Sequence, residues 1–536
     1  MKSRLQSIWL PVAIATGVGL CPELAEGQDI GRILQETRPG ADARVDLPSG
    51  QAAPVEGGDE ILFEELRGID LDGDIEVPGF SVLRAELDTR VGRPLTTAGL
   101  VELLDLVVAH YESEGYPVVE VFVPEQEISD GRILIEVVEG KVGVVAVGGG
   151  QHLRPPVWGI APGDTLTMGG LQGELDWLNR NRFYEGRLVV APGEGLAEAD
   201  LLFQLSDGRP LRVFGGFENS GVEIVGEERF FAGLEWGNAF GLGHRLMYQA
   251  TLGTDVDDFN AHALDYRVPL PWRHELGFLA AIVNTEAVLE DGTDNGGTSW
   301  LLGPSYTVPL RRRGDLRHEA SLGFDLKSTD NNLEFGGVQV FASTAEVAQF
   351  IGRYSAALER PDHSTSFLGE AIYSPGDLTG RNSDEAFRGI RANAVSQYPI
   401  LRAQLRHVHR LPLDASLVVR AGAQWTDAPL LPSEQLAIGG YDRVRGYPER
   451  DALGDRGYWG SAELRTPGLV GGDLQFLGFI DYGRTELDGT ELDRELVSAG
   501  PGLRFRLGEH ASARFDYGWQ LDGGGSRGHF SLQVEF

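Results

Sequence analysis

The sequence is poor in cysteine and in positive charge, and it lacks a long apolar run after its first residues. Its single cysteine, Cys21, excludes an intramolecular disulfide framework, so stability must come from packing or from hydrogen-bonded sheet. Beyond residue 27, no segment approaches the roughly 20 apolar residues that a membrane helix needs, so a membrane-spanning form would have to be a barrel. The formal charge of −34 argues against a nucleic-acid-binding protein, which presents a basic face to phosphates.

The first 27 residues have the pattern of a secretory signal peptide. Two basic residues precede an apolar run from Ile8 to Leu20, and Ala25-Glu26-Gly27 supplies a small-x-small cleavage site. A lipoprotein signal ending at Cys21 is the alternative, but Leu20 occupies the position where that signal requires a small residue. We therefore predict export, with residues 1–27 removed.

Residues 28–60 combine a short amphipathic helix with a linker. Ile30, Ile33 and Leu34 lie at helical spacing, and Asp29 is suited to cap the start of the helix. Residues 39–60 are rich in Pro, Gly, Ala and acidic residues and contain almost no large apolar residues. This composition predicts a flexible linker.

Two small α/β units follow, at 61–139 and 140–208. The first has the order strand, helix, helix, strand, strand, and its main helix carries one apolar stripe and ends at Gly115. Its last two strands, in PVVEVFVPE and GRILIEVVEG, form a predicted hairpin. The second unit has a similar order, with the helix LQGELDWLNRN followed by the strands GRLVVAP and ADLLFQLSD. Both units have the size of small domains.

From residue 209 to 536, segments of roughly ten residues alternate between apolar and polar positions, which is typical of a transmembrane barrel. In ASARFDYGWQL, Phe515, Tyr517 and Trp519 alternate with Arg514 and Asp516, and such a period of two excludes a helix. A soluble sandwich also alternates, but it does not usually carry Tyr and Trp at the strand ends of its apolar face. We predict an all-β transmembrane barrel of about 16 antiparallel strands, preceded by the two α/β units.

The longest connection late in the predicted barrel spans residues 427–455, and a loop of that length is usually functional. It contains QLAIGGYDRVRGYPERD, which includes Val444, Arg445, Gly446 and Tyr447. Together with HYESEGYPVVEVFVPEQEISDGRILIEVVEG and LNRNRFYEGRLVVAPGEGLAEADLLFQLSDGRP upstream, this segment resembles the outer-membrane protein 85 superfamily. Within it, the chain is similar to the transporters of two-partner secretion, which export haemolysins and filamentous haemagglutinins. The resemblance covers nearly the whole chain after residue 27 and identifies the α/β units as polypeptide-transport-associated (POTRA) domains.

The resemblance implies a particular contact for Arg445. In the family, the loop folds back into the barrel and its arginine meets the acidic residue of a Phe-x-Asp motif, here Phe479 and Asp481. Alternation along LQFLGFIDYG also places Asp481 toward the lumen, and Glu463 on the inward face of YWGSAELR is a second candidate acceptor. Arginine suits this role because its planar guanidinium binds a carboxylate bidentately. The alternative is that Arg445 is an exposed loop charge and that Asp481 is one of many luminal polar residues.

The resemblance also implies a function, which is the secretion of a large partner protein from the periplasm to the cell surface. The POTRA domains, in the periplasm, would receive the unfolded partner by β-augmentation at open sheet edges. The predicted edges carry Val119, Val121, Val123, Leu188 and Val190. Alternatively, these domains only hold the barrel or bind assembly partners. Folding of the partner outside the cell would supply the energy, and the helix at 29–38 would plug the pore at rest.

Further expectations concern location, partners and chemistry. We expect a monomer in outer-membrane lipid, with a terminal strand ending at Phe536 that the barrel-assembly machinery reads. We find no nucleotide-binding or catalytic motif, so we expect no enzyme and no cofactor. His407 and His409 share one face of a strand without an accompanying pattern of ligands, so we expect no metal site and interpret both as luminal polar residues.

Three other functions stay open from the sequence. A barrel-assembly factor belongs to the same superfamily but typically carries more POTRA domains than two. A passive porin would lack both N-terminal domains and the loop at 427–455. A soluble periplasmic binding protein would fail to partition with outer membranes.

Overall fold

The computed structural model describes residues 45–46, 60–73, 77–126, 130–149, 159–207, 210–288, 293–335, 338–488, 493–508 and 510–536. The predicted signal peptide at 1–27 and the predicted helix at 29–38 lie outside the described residues. The same holds for the predicted linker except for residues 45, 46 and 60. The described residues fall into two compact units, one within Pro39–Gly208 and one within Arg209–Phe536.

A short strand, β1 (Val45–Asp46), precedes the first α/β domain. That domain consists of β2 (Ile61–Phe63), β3 (Gly68–Gly73), α1 (Phe80–Asp88), β4 (Leu95–Thr96), α2 (Thr97–Ser113), β5 (Val119–Phe122) and β6 (Arg132–Glu139). Helix α2 begins where the Thr96 hydroxyl accepts a hydrogen bond from the Gly99 N–H at 3.1 Å, and it ends before Gly115, whose φ of +92° favours glycine. Strand β6 lies in the middle of a sheet, parallel to β3 and antiparallel to β5.

Strand β5 is an edge of this sheet, because among the described residues it pairs only with β6. The side chains of Val119, Val121 and Val123 are partly buried and pack against the core that contains Leu103 and Val107. A strand added at this edge would therefore contact the backbone of β5 rather than these three valines.

The second α/β domain contains β7 (Lys141–Gly149), α3 (Met168–Leu178), β8 (Tyr184–Pro192) and β9 (Glu198–Asp207), in the sheet order β1-β8-β9-β7. Strand β1 runs parallel to β8, with Val45 opposite Leu188 and Asp46 opposite Val189. The prediction of an open edge is therefore wrong at Leu188, where residues far upstream occupy the edge, whereas β1 does not reach Val190. Both side chains are also buried in the core of the domain.

The second unit is a closed barrel of sixteen strands, each antiparallel to its neighbours. In chain order the strands are β10 (Leu211–Glu218), β11 (Arg229–Ala239), β12 (His244–Leu252), β13 (Phe259–Pro269), β14 (Glu275–Val288), β15 (Thr293–Pro309), β16 (Leu316–Phe335), β17 (Val338–Glu359), β18 (His363–Pro375), β19 (Gln397–Arg410), β20 (Ser416–Trp425), β23 (Arg456–Arg465), β24 (Leu474–Glu486), β25 (Arg494–Leu507), β26 (Ala511–Gln520) and β27 (Ser526–Glu535). The remaining strands, β21 (Leu436–Ile438) and β22 (Ala452–Gly454), lie in the connection between β20 and β23. The barrel closes where β10 pairs with β27.

Side chains alternate across the barrel wall. On β24, Phe476 and Ile480 are exposed, whereas Phe479 and Asp481 are buried on the opposite face. Strand β26 behaves in the same way, with Trp519 exposed and Asp516 fully buried. One face of each strand is therefore available for lipid, and the other for polar contacts inside the barrel.

The interpretation of His407 and His409 as luminal residues is wrong. They share the face of β19 that carries Leu401 and Leu405, both of which are exposed on the outside of the barrel. The His407 Nδ1 lies 2.8 Å from the Thr365 hydroxyl, and the His407 ring stacks with that of His409 at 6.1 Å. Both histidines lie near the end of β19.

Two connections on the same side of the barrel fold inward. Between β18 and β19, helix α4 (Asp384–Ile390) places Phe387 in a buried cluster with Leu430 and Leu431 of the β20–β23 connection. The Ser383 side chain caps α4 by accepting a hydrogen bond from the Ala386 N–H. None of the helices in the part of the chain that the structure describes is long and apolar enough to cross a membrane.

Candidate functional site in the barrel lumen

The connection between β20 and β23, residues 427–455, lies inside the barrel. Its two short strands, β21 and β22, pair with each other in antiparallel fashion. Ile438, Val444 and Tyr447 form a buried cluster with Leu496 of the wall strand β25. We call this segment the 427–455 loop, and its burial shows that it fills part of the lumen.

Arg445 is the largest fully buried side chain in the part of the chain that the structure describes. Its Nε donates to Asp481 Oδ2 at 2.7 Å and its Nη2 donates to Asp481 Oδ1 at 2.8 Å, which is the bidentate geometry of a strong arginine–carboxylate pair. The backbone N–H of Arg445 also donates to Asp481 Oδ2 at 3.0 Å. The guanidinium lies over the Phe479 ring, 3.6 Å from its centroid. One carboxylate therefore holds both the backbone and the side chain of the loop residue.

Further groups from the barrel wall complete the contacts of Arg445. Its Nη1 lies 2.7 Å from Glu463 Oε1 on β23 and 3.5 Å from Asp516 Oδ1 on β26, and its Nη2 donates to the Ser461 hydroxyl at 3.0 Å. We call Arg445, Glu463, Asp481, Asp516 and Ser461 the Arg445 anchor. Arginines of the barrel wall balance two of its carboxylates: Arg420 and Arg465 lie near Glu463, and Arg504 and Arg514 lie near Asp516.

Gly446 follows Arg445 and lies against the wall with no room for a side chain. Its φ is +90°, and its N–H donates to His529 Nε2 at 3.0 Å while its carbonyl accepts from Gln520 Nε2 at 2.8 Å. A Cβ built on Gly518 of β26 would lie only 2.7 Å from the Gly446 backbone. Two glycines are therefore needed where the loop crosses β26.

Tyr447 and Val444 hold the loop on either side of this contact. The Tyr447 hydroxyl donates to the Val497 carbonyl at 2.9 Å and also contacts Asp522. Val444 is fully buried, and a Cβ on Gly483 of β24 would lie 2.9 Å from its Cγ2. The structure thus brings Val444, Arg445, Gly446, Tyr447, Phe479, Asp481 and Glu463 together.

The sequence reasoning missed Asp516, Ser461, His529 and Gly518. A repeated tripeptide could have indicated two of them, because Asp481-Tyr482-Gly483 on β24 recurs as Asp516-Tyr517-Gly518 on β26. In both copies the Asp contacts Arg445 and the Gly gives the loop room to approach.

Phe536 lies outside this site. Its side chain is 79% exposed, and its backbone continues the closing ladder, since its N–H donates to the Val213 carbonyl at 2.9 Å. Its ring stacks on that of His510. The terminal residue is therefore held by its backbone and presents its side chain outward.

Comparisons with known proteins agree with this architecture. A model of the haemolysin secretion/activation protein family ShlB/FhaC/HecB matches residues 198–505, and a model of the ShlB-type POTRA domain matches residues 65–140. The outer membrane transporter CdiB-2 of Burkholderia pseudomallei (strain 1026b) is 23% identical over 443 residues, which cover 77% of this chain and 71% of that protein. The heme/hemopexin transporter protein HuxB of Haemophilus influenzae is 22% identical over 442 residues, covering 78% of this chain and 76% of its own.

A solved structure has the same fold. CdiB from Escherichia coli superimposes with a TM-score of 0.79 at 19% identity, covering 96% of this chain and 98% of its own. The predicted fold class, a barrel of about 16 strands preceded by two POTRA domains, is confirmed. Because the family model spans more than half of the sequence, the chain belongs to the haemolysin secretion/activation protein family ShlB/FhaC/HecB.

Proposed function

We propose that this chain is an outer-membrane pore that secretes a large partner protein by two-partner secretion, and that the 427–455 loop closes the pore at rest. The observation that carries the proposal is the complete burial of Arg445 among carboxylates of the barrel wall. A loop held in the lumen by ion pairs and hydrogen bonds, without a covalent bond, can leave and return. A passive porin needs neither this loop nor the two POTRA domains.

The physical chemistry of the Arg445 anchor favours two discrete positions of the loop. A buried arginine is stable only with its carboxylates, and removing one partner of a buried pair typically costs about 3–5 kcal/mol. A partial displacement would leave both charges desolvated and unpaired. The loop therefore either keeps the whole set of contacts or releases all of them into water.

In this proposal, the POTRA domains in the periplasm receive the partner protein. Strand β5 supports this role because it is a sheet edge that pairs only with β6 among the described residues. An extended segment of the partner could add there by backbone hydrogen bonds with little side-chain specificity. The second edge, β8, carries β1 at Leu188 and Val189, so a partner strand could pair there only after β1 has left.

A crosslinking experiment tests the β5 edge. Glu120 is an exposed residue of β5, and a photoreactive amino acid placed there is expected to capture the partner protein during secretion. Glu112 on α2 is the matched control, because it is an exposed acidic residue of the same domain on a helix that offers no sheet edge. Equal capture at both positions, or at neither, would contradict binding by β-augmentation at β5.

Co-expression tests the function as a whole. The full chain is expressed in a host without such transporters, together with a candidate partner, which is a large secreted protein from the same genome. We expect that protein in the medium only when the chain is present, with the other outer-membrane barrels unchanged. A loss of other barrels without any secretion would instead identify an assembly factor. Deletion of Phe536 in the same host is expected to lower the amount of assembled barrel.

A further inference from the structure

A second charged residue of the 427–455 loop, Glu434, is fully buried against a different part of the barrel wall. Both of its carboxylate oxygens accept from Lys327 Nζ of β16, at 3.1 and 3.2 Å, and Oε2 also accepts from Gln349 Nε2 of β17 at 3.3 Å. Its carbonyl accepts from Arg402 Nη2 of β19 at 3.1 Å and from Gln424 Nε2 of β20 at 2.9 Å. We call these five residues the Glu434 anchor.

The wall groups of the Glu434 anchor are themselves held in place. The Tyr398 hydroxyl donates to Gln349 Oε1 at 3.1 Å, which turns the amide nitrogen of Gln349 toward Glu434. Arg402 Nε donates to Gln424 Oε1 at 2.7 Å, and this contact orients the Gln424 amide nitrogen in the same way. The barrel thus presents a preformed set of donors to one carboxylate and one carbonyl of the loop.

The two anchors begin on neighbouring strands, with Gln424 on β20 and Glu463 on β23, and extend from there around the barrel wall in opposite directions. Lys327 is on β16, the seventh strand of the closed sixteen-strand barrel, and Asp516 of the Arg445 anchor is on β26, the fifteenth. Seven strands therefore lie between Lys327 and Asp516 in either direction around the barrel. Along the chain, only ten residues lie between Glu434 and Arg445, and they include strand β21. The loop is consequently bound to wall strands from β16 around to β26.

We infer that Glu434 is a second positioning residue of the loop, so that the pore stays closed only while the Glu434 anchor and the Arg445 anchor both hold. This inference rests on the proposed function and extends it to the part of the wall that contains β16 and β17. A loop held by Arg445 alone could swing away from β16 and β17 and leave a gap there. With both anchors in place, neither half of the lumen is open.

The nature of the contacts explains why Glu434 holds the loop. Hydrogen bonds to a charged group contribute more to stability than those between neutral groups. Glutamine in place of Glu434 retains the shape but loses the charge that attracts Lys327 and Arg402. Among the carboxylates that the structure describes within 4.0 Å of its Nζ, Lys327 then keeps Asp325, whose Oδ2 lies at 4.0 Å. The expected effect is a loop that leaves the β16 side of the lumen more often.

Conductance of the purified full chain in planar phospholipid bilayers tests the inference. Glu434→Gln is expected to raise the fraction of time in the open state about tenfold or more, since one charged hydrogen bond is worth at least a decade in an equilibrium constant. Asp427→Asn is the matched control, because it removes one negative charge from an exposed position of the same loop. Arg445→Ala is measured in parallel, and heat-modifiable migration on gels shows that each barrel is folded.

A double variant separates positioning from a merely structural role. Lys327→Met with Glu434→Gln removes both charges of the Lys327–Glu434 pair. If that pair has only a structural role, the double variant is expected to have the closed pore of the parent. A positioning role predicts that the pore stays open in the double variant, because nothing attracts the loop to β16. Parent-like conductance of the double variant, or an equally open Asp427→Asn pore, overturns the inference.

The Arg445→Ala arm distinguishes this inference from the proposed function. If Arg445→Ala opens the pore and Glu434→Gln does not, a single anchor closes the pore and the inference about Glu434 is wrong. If neither variant opens a correctly folded pore, the closing role proposed for the 427–455 loop is itself wrong.

Discussion

An Arg445→Asp variant is expected to lose secretion of the partner protein by about tenfold or more while the barrel still assembles. The substitution removes the cation shared by Asp481, Glu463 and Asp516 and adds a fourth carboxylate among them. Breaking such a buried set costs about 3–5 kcal/mol, which is enough to displace the loop from its resting position. The measurement is the amount of partner protein in the medium, divided by the amount of folded barrel in the outer membrane.

Two further variants are compared with Arg445→Asp. Arg388→Asp is the control, because Arg388 lies on α4, is more than half exposed and pairs only with its helical neighbour Asp384 among the contacts described. We expect it to secrete like the parent. Arg445→Lys keeps the charge but cannot bind Asp481 bidentately, so an intermediate loss is expected. Full secretion by Arg445→Asp would show that the anchor is not needed.

A Gly518→Val variant is expected to reduce secretion to a similar extent without changing any charge. A Cβ at this position would lie 2.7 Å from the backbone of Gly446, and backbone atoms cannot move aside as a flexible side chain can. The loop would have to leave β26, and the contacts of Arg445 would be lost with it. Secretion and bilayer conductance of the folded variant both test this expectation.

Gly478→Val on β24 is the matched control for the steric effect. No atom lies within 4 Å of a Cβ built on Gly478, and valine is well suited to a strand. This variant is expected to behave like the parent. The double variant Arg445→Asp/Gly518→Val should be little worse than either single variant, because both disrupt the same contact. Full additivity of the two losses would indicate that they act at separate sites.

The period-two pattern was sufficient to predict the barrel and the side of the wall on which Asp481 lies. Side chains of a strand point alternately to opposite faces of the sheet. When an apolar residue faces outward, the carboxylate residue next to it along the strand therefore faces the lumen. The same rule, applied to β19 with Leu401 and Leu405 as references, would have placed His407 and His409 outside. The interpretation relied on the polarity of the two histidines and was wrong, because the position of a residue along the strand decides the face on which it lies.

The open edge predicted at β8 was wrong for a different physical reason. A strand sequence shows that its backbone needs a partner, but it does not show which segment supplies one. Here the partner is β1, more than a hundred residues upstream, in a stretch whose composition predicts a linker. Backbone pairing depends little on side chains, so such a contact leaves almost no trace in the composition of either segment.

The sequence by itself determined the local alternation of each strand, the two POTRA domains and, through the VRGY segment and the Phe-x-Asp motif, the residues to examine. Only the tertiary structure decided which groups meet in the lumen. Asp516, Ser461 and Gly518 reach Arg445 because barrel closure brings β23, β24 and β26 around one point. Glu434 meets Lys327 across 107 positions of the chain, since the loop lies inside the barrel and reaches β16 there. Alternation determines the face on which a side chain lies, whereas closure of the barrel determines its neighbours on that face.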